Sequence, residues 1–253
     1  MRVVTMGGAE FWIQEGKTLG QRPRLAPGDL LVDRPRGPEE HELHLVETFG
    51  CGDWRIWGTE EFRFSPESLA LVSVWLGVPD DTYDDHQTPE AWAGRTVVRG
   101  LPTAREPRSF QLPPEVSRQF SVEHDLLACF VADVSGYGEK LGVEIAEGLE
   151  LLFADGRYAG WLLRAPETAL GRGPAAPDGT ERDPELMGWL AEFYAVTRDD
   201  IVAGIELEDD LEALGAMRRL MESIRLDGDV RGRRAALRNH LAAWVENLEE
   251  QIA

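Results

Sequence analysis

Cysteine and lysine are both nearly missing from this chain: 253 residues hold two cysteines, Cys51 and Cys129, and two lysines, Lys17 and Lys140. The cysteines fall in separate β-rich stretches, with no CxxC spacing and no neighbouring ligand set. That excludes a disulfide framework and a thiolate zinc centre. They read as free, buried thiols. Removing two lysines from 26 basic residues leaves 24 arginines, a bias that fits a GC-rich bacterial genome such as an actinobacterium's.

Positive charge is itself in deficit. Against 26 basic residues stand 46 acidic ones, for a net charge of −20. Such a surface repels a phosphate backbone and so excludes nucleic-acid binding by the chain as a whole. It attracts a basic partner and speeds encounter with it. Long apolar runs are also absent, and nothing approaches the roughly eighteen residues of a membrane span. The opening MRVVTMGGAEFWIQEG lacks the basic-then-apolar order of a secretory signal. The expectation is a cytoplasmic protein with no membrane partner.

Catalytic signatures are missing too. Gly16-Lys17-Thr18 resembles the end of a phosphate-binding loop, but Phe11 stands where the first glycine belongs. Without it no nest of N–H groups forms. There is no GxSxG, Ser135-Gly136 lies in an ordinary turn, and neither cysteine has a readable base beside it. FYAVTRDDIVAGIELEDDLEAL has the length of a helix-turn-helix, but its recognition helix would present carboxylates to DNA. No cofactor is called for.

What is present is a core. The chain is 43% hydrophobic and carries eight tryptophans scattered over every expected element, as core residues are. Val122 to Pro166 reads as four strands, and its last pair, Leu149–Phe153 and Tyr158–Leu163, flanks an Asp155-Gly156 hairpin turn. Strands are also expected at Arg2–Met6, Glu10–Gln14, Leu30–Val32, His41–Phe49, Trp54–Trp57, Glu61–Phe64, Leu69–Val78 and Arg95–Arg99, with Gly20–Gly28 a loop. The step Pro66-Glu67-Ser68 returns as Pro166-Glu167-Thr168, which suggests two related halves.

After residue 172 the period becomes helical. Asp183 caps a helix that begins at Pro184, and Thr197 heads a capping box. A break is expected near Gly204. Leu207, Leu214 and Met221 recur every seven residues, and Val230, Leu237 and Trp244 with Leu241 and Leu248 form the seam of a last helix. The fold class is therefore α+β. An antiparallel β-rich body spans 1–172, with halves 1–79 and 116–172 joined by an irregular 80–115. A linker at 173–183 leads to a helical segment at 184–253.

Three readings of function follow. The first is a non-catalytic acidic binding module, an inhibitor or immunity-type protein that covers a basic toxin or enzyme. Its contact surfaces are the acidic stretches Asp80, Asp81, Asp84 and Asp85, and Glu206, Glu208, Asp209 and Asp210. The second is an enzyme, or a small-molecule- or metal-binding protein, with a site in the β body, drawing on His41, His44, His86, Asp84 or Glu144. On a strand His41 and His44 point to opposite faces, which disfavours one shared ion. Glu144, Glu147 and Glu150 read as an outward sheet face. The third is an oligomer built through the C-terminal helices, where Arg231, Arg233, Arg234 and Arg238 pair with acids nearby.

Overall fold

The computed structural model of the chain describes residues 2–32, 37–52, 60–80, 89–132, 138–171, 181–208, 210–229 and 231–252. The strand expected at Trp54–Trp57 lies outside them. In chain order come β1 (Val3–Met6), β2 (Ala9–Glu15), β3 (Arg24–Ala26), β4 (Asp29–Val32), α1 (Pro38–Glu47), β5 (Phe49–Cys51), β6 (Glu61–Phe64) and β7 (Leu71–Gly77). After a helical turn at Pro89–Trp92 follow β8 (Thr96–Ala104), β9 (Glu115–Ser121), β10 (Leu126–Val131), β11 (Lys140–Ala146), β12 (Leu149–Ala154) and β13 (Arg157–Arg164). Helices end the chain: α2 (Pro166–Ala169), α3 (Pro184–Val196), α4 (Asp199–Glu208), α5 (Leu211–Ser223) and α6 (Arg233–Ile252).

The α+β class holds, but the β body is not purely antiparallel. One sheet runs β1-β2-β8-β11-β12-β13-β10-β9, and β1 returns to pair in parallel with β13 at Thr5↔Arg157. Six strands thereby close into a barrel. A second parallel pair joins β8 to β11 through Thr96–Arg99 and Leu141–Glu144. Hydrophobic alternation marks where strands are, but the direction of a non-sequential neighbour is set by the crossover between them. The smaller sheet, β3-β4-β7-β6-β5, is antiparallel throughout. It meets the rest of the body at the bridges Ala70↔Thr103 and Leu25↔Leu170.

The four strands expected over Val122–Pro166 are β10 to β13. Asp155 and Gly156 take φ of 46° and 75°, the two positive angles of a tight hairpin turn. The Asp155 carboxylate accepts the N–H groups of Glu139 (2.9 Å) and Gly138 (3.2 Å). Those bonds hold its pKa below the ordinary carboxylate value. Every residue of β10 and β12 is buried; β10 is a continuous apolar run and β12 is one interrupted by Glu150. Gly160 has φ 137°, and a Cβ there would lie 2.0 Å from the Cys129 carbonyl oxygen. Only glycine lets β13 approach β10 so closely.

Several expectations are corrected. His41–Phe49 is mostly helix, because Pro38 at the first turn and acidic Glu39 and Glu40 beside it form a helix start that outweighs the apparent alternation. Gly20–Gly28 contains the short strand β3, recruited by pairing with β4. The strand expected at Arg95–Arg99 extends to Ala104 by pairing with β2. Helix α4 passes through Gly204 and ends at Glu208, where Asp210 caps α5 through the N–H groups of Glu212 and Ala213, both at 3.0 Å. That interruption breaks the Leu207–Leu214–Met221 phase. Leu214 is buried, Met221 is partly so, and Leu207 faces solvent.

Asp183 does cap α3, accepting the Leu186 N–H at 3.1 Å. Thr197 instead turns its hydroxyl back onto the Phe193 carbonyl at 2.9 Å. Leu186, Leu190 and Phe193 of α3, Leu214, Met217 and Leu220 of α5, and Leu237, Leu241 and Leu248 of α6 join one continuous core with the strands. Among the described residues no helix is long and apolar enough to cross a membrane.

The two hairpin glycines separate strain from clash. Gly160→Ala is expected to cost at least about 3 kcal/mol, because both its φ and its contact forbid a methyl group. Gly156→Ala, with only the Val3 carbonyl oxygen at 3.7 Å, should cost about 1 kcal/mol from the positive φ alone. Urea denaturation of both variants measures the difference.

Candidate functional site

Helix α1 is held against the smaller sheet by polar side chains. Arg63 of β6 reaches its C-terminal end, donating to the carbonyls of Leu45 and Thr48 (2.8 Å each) and to the Thr48 hydroxyl (2.9 Å). A guanidinium is favoured there because the last carbonyls of a helix lack partners and carry partial negative charge. His41 Nε2 lies 3.4 Å from Glu61, and His44 Nε2 lies 2.7 Å from the Ser73 hydroxyl. Residues three apart on a helix share a face, so both imidazoles point inward. This reverses the opposite-face placement expected for a strand. Among the described residues no three His, Cys, Asp or Glu side chains converge as a metal site would require.

The outer face of α1 is then set by geometry. Glu39, Glu42, Leu43 and Val46 are linked by steps of three and four and form one stripe. Leu43 is 56% and Val46 is 83% exposed, and both glutamates face solvent. A second surface of this kind lies at the α4–α5 corner. Ile205 and Leu214 turn inward there, while Leu207 (82% exposed) and Leu211 (65%) point out among Glu206, Asp210 and Glu212. Glu206 and Asp210 were expected from sequence. The leucines beside them were not, because the heptad count placed Leu207 in the core. Asp209 lies outside the described residues, and so does the Glu208 side chain.

Asp80, expected as an acidic contact, is exposed and is also bonded within the chain. Its carboxylate accepts from Arg118 at 3.3 Å and its carbonyl accepts the Asp199 N–H at 3.2 Å. Asp81, Asp84, Asp85 and His86 lie outside the described residues. Arg118 is the larger feature. Its side chain is 2% exposed and donates to the carbonyls of Pro79 (2.9 Å), Tyr194 (2.8 Å) and Thr197 (3.0 Å). It also sits 4.9 Å over the Tyr194 ring. One guanidinium on β9 thus ties the exit of β7 to the end of α3. Burial lowers its pKa, yet an arginine stays charged.

Glu150, expected on an outward sheet face, is buried instead. Its two oxygens take Arg95 Nε and Nη2 at 2.7 Å each, and Arg164 adds a bond at 3.2 Å. A Cβ on Gly142 would fall 2.2 Å from Glu150 Oε2, so that glycine makes room for the pair. Glu144 lies on β11 opposite Glu150, while His41 and His44 sit on α1 against the other sheet.

A third buried polar group lies where the two sheets meet. Glu60 precedes β6, Glu115 opens β9 and Tyr158 comes from β13. The Tyr158 hydroxyl donates to Glu115 Oε1, and the Glu115 N–H donates to Glu60 Oε1 at 3.3 Å. Glu115 Oε2 is buried without a partner. Burial, and next the adjoining Glu60 carboxyl, hold Glu115 well above the usual carboxylate range. Cys51 and Cys129 lie close by. Burial pushes the Cys51 thiol up to about 12 and Cys129 well above its ordinary value.

The chain matches no family model, no curated protein and no solved structure. Function therefore rests on the geometry alone. One cavity of about 260 Å3 is lined by Arg22, Glu147, Leu163, Arg164, Thr168 and Arg182. Its arginines are each matched by a carboxylate: Glu147 for Arg22, Glu150 for Arg164, and Asp125 and Glu167 for Arg182. It offers an anion no uncompensated charge. At the start of α6, Arg234 is held by Asp183 (2.8 Å) and Glu185 (3.0 Å), and Arg233 donates to the carbonyls of Glu167 (3.1 Å) and Glu181 (2.9 Å).

Two outcomes check these assignments. Arg118→Met leaves the Tyr194 and Thr197 carbonyls buried and unpaired, and should cost about 3 kcal/mol. Amide exchange should then rise first over α3 and α4. In the native protein at mild alkaline pH, Cys51 and Cys129 should resist a thiol reagent, with labelling appearing only on unfolding.

Proposed function

We propose that the chain is an acidic protein-binding module that caps a basic partner, in the manner of an inhibitor or immunity-type protein. The observation that carries this reading is the outer face of α1, where Leu43 and Val46 stand exposed beside Glu39 and Glu42 on a helix anchored from behind by Arg63, His41 and His44. Exposed apolar groups ringed by one sign of charge fit a partner that brings its own apolar anchors within a basic rim. A rigid mount lowers the ordering cost of binding. The α4–α5 corner supplies a second patch of the same chemistry through Leu207 and Leu211. The net charge of −20 draws such a partner in from a distance.

The reading is tested by affinity capture from the native host at low salt, with the partner then titrated against purified variants. A basic protein should bind, with affinity falling steeply as salt rises. Leu43→Glu with Val46→Glu should weaken it by at least about tenfold, since a central apolar anchor contributes on the order of 1.4 kcal/mol or more. Glu39→Lys with Glu42→Lys should slow association. A captured partner that is acidic, a second copy of this chain, or binding indifferent to both the α1 and the Leu207/Leu211 variants would overturn the proposal.

A further inference from the structure

Glu60 and Glu115 are two carboxyl groups in contact at the junction of the sheets. Each is about 5–6% exposed. The groups around them come from every element packed there. Tyr158 of β13 donates to Glu115 Oε1, Cys129 of β10 and Cys51 of β5 are neutral thiols nearby, and Glu61 follows Glu60 on β6. The nearby cations are committed elsewhere: Arg118 to the carbonyls of Pro79, Tyr194 and Thr197, and Arg63 to the end of α1. Among the described residues, therefore, no cation balances a second negative charge. Glu115 Oε2 is buried without a donor, whereas a proton on it would be donated to the adjacent Glu60 carboxyl.

We propose that Glu60 and Glu115 hold one proton between them, and that this shared proton is a pH-sensitive clasp fastening the α1-bearing sheet to the barrel. With the proton in place, the chain Tyr158–Glu115–Glu60 is a continuous line of hydrogen bonds from β13 across to β6. When it leaves, two carboxylates face each other in a site of low polarizability, and like charges there repel strongly. The barrel side is held by its closed ladder. The strain falls on β5, β6 and the helix they carry. Phe62, stacked edge-on against Tyr158 at 5.7 Å, lies on the same seam.

The sign follows from linkage. A carboxyl whose folded pKa is raised contributes stability that is fully present below the unfolded value near 4.5 and is lost as pH rises through the folded value. Across that window the native state binds about one proton more than the unfolded chain, so unfolding becomes favoured by up to about tenfold per pH unit. General repulsion in an acidic protein acts in the same direction. The readout is therefore the difference between variants.

The experiment uses the purified chain alone, so its outcome is independent of whether any partner binds. Urea denaturation is measured from about pH 5 to about pH 8 for the native protein, Glu115→Gln, and the exposed control Glu123→Gln. The expected result is a stability that declines with pH in the native protein and the control and is markedly flatter in Glu115→Gln. Amide exchange over β5, β6 and α1 should quicken with pH more than exchange in β12. Infrared spectra of the native protein at neutral pH should show a protonated-carboxyl stretch, which decides the matter even if Glu115→Gln does not fold. Equal pH slopes in all three proteins, or no protonated carboxyl at neutral pH, would overturn the proposal.

Discussion

Strand β13 has three neighbours, and the rest of the body depends on how it accommodates them. One edge belongs to β12. The other is divided: β1 pairs at Arg157, and β10 pairs from Gly160 to Arg164. A strand can share an edge in this way only if it bends between the two partners. Gly160 provides the bend, and its missing side chain lets the Cys129 carbonyl come within a distance no Cβ allows. The first partner closes the barrel. The second extends the sheet through β10 to β9, and β9 carries both Glu115 and Arg118 outward to the other parts of the chain.

Those two residues illustrate how this protein uses buried polarity. Each joins elements that the hydrophobic core alone would leave free to slide. Arg118 fixes the end of α3 to the exit of β7 by donating to main-chain carbonyls, groups that would otherwise be buried unsatisfied. Arg63 does the same for α1, and Arg95 with Glu150 for the turn before β8. A buried ion is costly unless it is well bonded, and these geometries meet most of that demand. Glu115 is the exception. It meets a second acid where the others meet acceptors or counter-ions, and among the described residues no donor reaches its second oxygen.

The same scaffold explains why the acidic surface has defined features. Carboxylates spread over a protein of this charge would give solubility and little else. On α1 and at the α4–α5 corner, however, apolar side chains are pinned outward by what their helices do inside. Leu43 and Val46 face solvent because His41, His44 and Leu45 are spent on the sheet side, and Leu207 because Ile205 takes the core position.

Much of the framework was readable from sequence alone. The Asp155-Gly156 turn, the strands on either side of it, the Asp183–Pro184 helix start and the seam of α6 all rest on local rules, in which a residue's own conformational preference or near-neighbour spacing settles the outcome. The net charge of −20 is likewise a property of the sequence alone. The errors were of another kind. His41 to Phe49 alternated like a strand, and the helix that Pro38 begins is reinforced by the packing of His41 and His44 against β6 and β7. Glu150 looked like a surface acid and Glu115 was not singled out, and nothing near them in the chain announces Arg95 or Glu60, which stand 55 residues away in each case. The closure of β1 on β13 spans more than 150 residues. Local sequence determined most of the segments that become strands and helices, and the excess of acidic residues. Which strands close the barrel, which acids are buried, and which leucines are left outside were decided by tertiary structure, because contacts between distant segments carry no periodicity that either segment shows by itself.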